Sequence, residues 1–93
     1  SKIEAGKLAI ETINFDLFKT IDQVINFIEL SAHQKGLELV VIYSPDIGKY
    51  YFGDSLRLTQ ILTNLIGNAI KFTEKGRVIL YVNSIGENRL RFE

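Results

Sequence analysis

The strongest constraint on how this chain folds lies between Asp54 and Thr73, DSLRLTQILTNLIGNAIKFT, where apolar residues recur at amphipathic-helix spacing. At about 100° per residue, with Asn64 at zero, Arg57, Gln60, Gly67, Asn68 and Lys71 all fall within about 60° of it. Leu58, Ile61, Leu62, Leu65, Ile66, Ala69, Ile70 and Phe72 fill the arc from about 60° to about 240°. Such a helix offers an apolar half to a core and a narrow stripe of hydrogen-bonding groups outward.

A solvated helix face is the ordinary explanation of a polar stripe, but such faces favour Glu, Lys, Arg and Gln, which are good helix formers and pair at i,i+4. Here Asn64, Gly67 and Asn68 occupy the middle of the helix. Each is disfavoured relative to Ala by about 0.6 to 1 kcal/mol, so about 2 kcal/mol of local preference is given up. Gly67 implies close approach by another group, and the two amides imply a ligand that needs donors and acceptors. On the stripe alone, a ligand site and a plain solvated face remain equally good readings.

The chain has 93 residues, 46% of them hydrophobic and 24% charged, which sets a ceiling of one globular domain. Eleven basic residues balance eleven acidic ones, so no electrostatic footprint for nucleic acid or an anionic membrane is present and neither is expected as a partner. The absence of cysteine removes a disulfide framework and a thiolate metal site, and fits a reducing compartment. No apolar run approaches the roughly 18 residues of a membrane span. The chain opens at Ser1 without a methionine, as a piece of a longer protein would.

Residues 1–8 are polar and helix-compatible, and read as the last turns of an upstream helix or as a linker. Residues 9–15 alternate apolar and polar, the pattern of a half-buried strand. Asp16 is placed to cap a helix that runs to about Lys35, with Phe18, Ile21, Ile25, Ile28 and Ala32 as its apolar stripe and Gly36 ending it. Residues 37–43 read as a second strand, and Ser44–Gly48 as a turn. Tyr50-Tyr51-Phe52 extends briefly before Asp54, the cap of the striped helix. A third strand is expected over Arg77–Asn83, with Val78, Leu80 and Val82 on one face, then a turn, then a strand from Arg89 that forms a hairpin with it. This β-α-β-α-β-β order predicts an α+β domain, a two-layer sandwich with both helices on one face of a mixed or antiparallel sheet. A last strand left unpaired on one edge is open to another chain.

The run from Asp54 to Thr73 closely resembles the N box of the ATP-binding domain of two-component sensor histidine kinases, D-x-x-R-x-x-Q-x-L-x-N-L-x-x-N-A-x-K-F-T. Phe15-Asp16-Leu17 and Lys35-Gly36-Leu37-Glu38-Leu39 resemble the same family's first helix and following strand. Residues 1–8 resemble the end of its dimerisation and phospho-acceptor helix hairpin, leaving 9–93 as the N-terminal part of the ATP-binding domain. The resemblance implies a Bergerat-type α/β sandwich, here truncated.

It also implies roles, residue by residue. Asn64 matches the asparagine that ligates Mg²⁺ bridging the nucleotide phosphates, for which an amide oxygen is a suitable hard ligand. Asn68 matches a second asparagine that bonds near the phosphates and ribose, and Lys71 a basic residue facing the phosphates. Phe72 matches an aromatic beside the adenine or sugar, or is simply a core aromatic. Gln60 would orient a water or the outer shell of the metal. Asp54 is most simply a helix cap, and Arg57 a phosphate contact, a contact to the upstream domain or a structural ion pair. Ser55 stands where the family often has proline. His33 lies late in the first helix, whereas family acceptors lie in an upstream helix in an H-E or H-D context, so it reads as a surface histidine.

The family's second half carries an aspartate box for adenine, further glycine-rich segments and a lid, and none of these patterns occurs here. The resemblance therefore implies an ATP:protein-histidine kinase that uses ATP and Mg²⁺ in two-component signalling. The parent would be cytoplasmic, with or without a membrane anchor, and would work with a dimerisation domain and a response regulator. This chain alone is expected to be inactive and to self-associate through its truncated edge. An alternative is a regulatory module that uses the same sandwich to hold a protein. A gyrase- or chaperone-type ATPase is disfavoured, because those relatives place a catalytic Glu where Gln60 stands and an amide is no general base.

Overall fold

The computed structural model describes Ile3–Glu4, Lys7–Leu8 and residues 13–86 and 88–93. Its elements run β1 (Ile3–Glu4), β2 (Lys7–Leu8), β3 (Ile13–Asp16), α1 (Leu17–Gln34), β4 (Glu38–Tyr43), β5 (Tyr50–Gly53), α2 (Ser55–Phe72), β6 (Arg77–Gly86) and β7 (Arg89–Phe92).

The two helices begin where their caps predict. The Asp16 carboxylate accepts the Lys19 amide at 3.1 Å and the Asp54 carboxylate accepts the Arg57 amide at 2.9 Å, each satisfying a donor that has no partner within its helix. Gly36, at φ +70°, ends α1 in a Schellman motif. Its amide donates to the His33 carbonyl, and the Leu37 amide to that of Ala32, both at 2.9 Å.

Both helices lie on one face of a three-stranded sheet ordered β4-β6-β7. The β4–β6 pair is parallel, from Glu38 opposite Arg77 to Tyr43 opposite Val82, and β6–β7 is the expected antiparallel hairpin with an irregularity between Ser84 and Gly86. Helix α1 packs mainly over β4 and α2 over β6. The core between the layers holds Leu17, Ile21, Val24, Ile28 and Ala32 of α1, Leu62, Ile66 and Ile70 of α2, and Val78, Leu80 and Val82 of β6. The α+β two-layer sandwich is therefore as the periodicity predicts.

Some expectations are corrected. The Tyr50–Gly53 segment is a full strand that pairs antiparallel with β3, Phe15 opposite Tyr51, as a ladder separate from the main sheet. Both aromatics point inward: Tyr51 is buried and Phe15 packs on the core. Of the strand expected over 9–15, residues 9–12 lie outside the described residues. Ile3–Glu4 pairs with Lys7–Leu8 as a two-residue antiparallel ladder.

The apolar half of α2 is also only partly covered. Ile61, Leu65 and Phe72 are 55%, 44% and 77% exposed. They share the flank of α2 turned away from α1, and neither helix packs principally over β7 to cover it.

Candidate functional site

Helix α2 carries the polar stripe along its whole length. Gln60, Asn64, Asn68 and Lys71 are exposed on successive turns, beside a second row of small residues, Thr59, Thr63 and Gly67, that is half-buried. Thr59, Gln60, Thr63, Asn64, Gly67 and Asn68 together line an open groove of about 410 Å³. The two threonines belong to this wall although the sequence reading passed over them. Their signal was the i+4 row 59-63-67 running beside 60-64-68.

Among the described residues, no intramolecular hydrogen bond engages the side chains of Gln60, Asn64 or Asn68, so each amide presents a donor and an acceptor to solvent. Thr59 is different, because its hydroxyl donates back to the Ser55 carbonyl at 2.9 Å. Lys71, one turn beyond Asn68, lies past the groove lining, and its ammonium rests 5.5 Å from the centre of the Phe72 ring. That ring is 77% exposed, which removes the reading of Phe72 as a core aromatic.

Gly67 faces the neighbouring helix, but packing does not demand a glycine: a Cβ added there would meet Ile28 Cδ1 at 3.5 Å, an ordinary contact. Asp54 is the cap of α2, as its sequence position implies. Arg57 is exposed, and among the described residues it makes no salt bridge. His33 is exposed in the last turn of α1, far along the chain from the stripe.

A metal held by protein alone has no support here: among the described residues, no three His, Cys, Asp or Glu side chains gather around a common point. The donors on the stripe are neutral amides, which suits an ion that keeps most of its oxygen ligands from elsewhere. A larger hollow, about 580 Å³, lies between the β3–β5 ladder and the β6–β7 turn. Its wall is fixed by Asn88, whose amide clamps both backbone groups of Phe52 at 2.9 and 3.0 Å. Those amide groups are spent on structure, whereas the stripe's have no partner among the described residues.

No protein-family model matches the chain. It is 51% identical over 82 residues to the signal transduction histidine-protein kinase BarA of Escherichia coli (strain K12), covering 88% of this chain and 9% of BarA. The chain thus spans about a tenth of the length of the curated relatives it matches. Among solved structures, full-length ShkA in complex with AMPPNP superposes with a TM-score of 0.76 at 36% identity, covering 92% of this chain and 18% of ShkA. The catalytic domain of histidine kinase ThkA shares the fold, with a TM-score of 0.77 at 24% identity over 88% of this chain and 53% of that one. Histidine kinase ThkA in complex with response regulator protein TrrA gives a TM-score of 0.74 at 22% identity, over 86% of this chain and 24% of that one. With 51% identity over 82 residues to one histidine kinase, and 36% identity with a shared fold to another, the chain belongs to the histidine kinases, as part of their ATPase-type catalytic domain.

Proposed function

We propose that this chain forms the phosphate-side wall of a Mg²⁺–ATP pocket in a longer kinase that phosphorylates a histidine in two-component signalling. The observation that carries this reading is the pair of amides, Asn64 and Asn68, without partners among the described residues and one turn apart on an open groove floored by Thr63 and Gly67. In this reading the Asn64 amide oxygen ligates Mg²⁺, a hard ion that takes few protein ligands beside phosphates and water. Bound Mg²⁺–ATP supplies the phosphoryl group and the charge neutralisation for its transfer. Asn68 bonds phosphate or ribose oxygens, and Lys71 swings from the Phe72 ring to the phosphates. Phe72, exposed beside Lys71, is free to flank the sugar or base. Gln60 orients outer-shell water. The AMPPNP bound by ShkA supports the ligand class, and the TrrA bound by ThkA supports a response regulator as partner of the parent kinase.

The same reading places residues 1–8 next to a dimerisation domain and the parent in the cytoplasm. Among the described residues no helix is long and apolar enough to cross a membrane. The chain holds one wall of the pocket, so alone it binds nucleotide weakly and transfers no phosphate. Titration with Mg²⁺–AMPPNP followed by backbone amide shifts tests this. Shifts centred on Asn64 and Asn68, with a millimolar midpoint and lost on Asn64→Ala, are expected; a response that Asn64→Ala leaves intact contradicts it.

A further inference from the structure

The two helices end differently, and the difference falls on Lys71. Helix α1 satisfies its own last carbonyls through the Gly36 turn described above. Helix α2 has no such turn: Thr73 is already extended, at φ −102° and ψ 122°, and its amide reaches the Ile70 carbonyl at a long 3.4 Å. The last carbonyls of α2 therefore need a donor from elsewhere. Lys35, the C-cap of α1, supplies it. Its Nζ donates to the Ile70 carbonyl at 2.7 Å and to the Lys71 carbonyl at 3.1 Å, bridging 35 and 36 residues of sequence.

Helices α1 and α2 thus bring their C-terminal ends together, each presenting the negative end of its dipole. A cation between them is favoured at both ends at once. Lys35 is itself fixed, because the Schellman turn sets its backbone at φ −92° and ψ 0°. The ammonium is aimed by the end of one helix at the end of the other.

We propose that Lys35 is a positioning residue for the phosphate face. By holding the Ile70 and Lys71 carbonyls it keeps the last turn of α2 helical, and so keeps Lys71 in line with Asn64 and Asn68. Unwinding that turn by one residue would swing Lys71 about 100° off the stripe. The assignment rests on the reading of that stripe as a nucleotide-phosphate site. The holding of the last turn is a separate, measurable matter.

The test compares Lys35→Met, which keeps the aliphatic stem and removes the charge, with Lys35→Arg, and with Asp16→Ala, which removes the α1 cap and does not touch α2. Amide hydrogen exchange over Lys71–Thr73 is expected to quicken about fivefold in Lys35→Met, the size of a lost helix-end cation, and to stay near the parent value in the other two. The midpoint of the Mg²⁺–AMPPNP shift titration is expected to rise severalfold in Lys35→Met only, with Lys35→Arg restoring it. Unchanged exchange in Lys35→Met overturns the holding of the turn. An equal change of midpoint in Asp16→Ala, or a failure of Lys35→Arg to restore it, overturns the positioning role. Absence of any nucleotide response in the unsubstituted chain overturns the phosphate face and with it the purpose assigned to Lys35, while the exchange data still decide whether Lys35 holds the turn.

Discussion

At Gly67 the group that approaches is Ile28 of α1, and a methyl group added there would sit at an ordinary contact distance of 3.5 Å from it. Gly67→Ala is therefore expected to stabilise the fold by about 1 kcal/mol, through helix propensity and a less flexible unfolded chain. Urea unfolding measures it, and a loss of stability would show that the helix–helix contact is tighter than the structure has it. Tyr43 gives a second residue-scale prediction. Burial first, and then the Asp22 carboxylate, raise its phenol above the usual 10.0. The folded state thus holds this proton more tightly than the unfolded one. The associated stability is complete below pH 10.0 and is lost as pH rises through the higher folded value. Tyr43→Phe is expected to flatten that alkaline decline in a pH series of thermal unfolding; an unchanged decline would assign it to other groups.

At the scale of elements, legibility followed locality. The starts of both helices and the end of α1 are written in single residues, Asp16, Asp54 and Gly36, because a cap is a bond between chain neighbours. The inward faces of β6 were equally plain, since Val78, Leu80 and Val82 alternate with more exposed residues. What stayed hidden depends on distant partners. Tyr50–Gly53 is too short to announce itself as a strand until β3 lies beside it, with Phe15 and Tyr51 facing the core. The Lys35 bridge to the end of α2 joins residues 35 and 36 apart, and no local pattern encodes it. The groove on α2 is visible in the sequence through its amides, which break helix preference, and hidden at Thr59 and Thr63, because threonine on a helix flank breaks nothing conspicuous.

The whole molecule is best described by what its layers leave uncovered. Tyr81 and Glu93 exchange both backbone bonds, at 2.9 and 3.0 Å, so the alternate residue Phe92 turns its amide and carbonyl away from β6, to the open edge of β7. The exposed flank of α2, with Ile61, Leu65 and Phe72, runs on the same side of the sandwich. An open strand edge beside an apolar flank favours association. The chain is expected to self-associate in a concentration-dependent way by light scattering, and a monodisperse monomer at high concentration would count against it. On the proposed reading the α2 face is one wall of a nucleotide pocket, and one wall can recognise a ligand without enclosing it. The most direct test is the Mg²⁺–AMPPNP titration of the unsubstituted chain, read residue by residue through its amide shifts. The account predicts a weak, Mg²⁺-dependent response confined to the Gln60–Lys71 face of α2. Micromolar binding, or shifts gathered instead around Tyr50, Phe52 and Asn88, would contradict it.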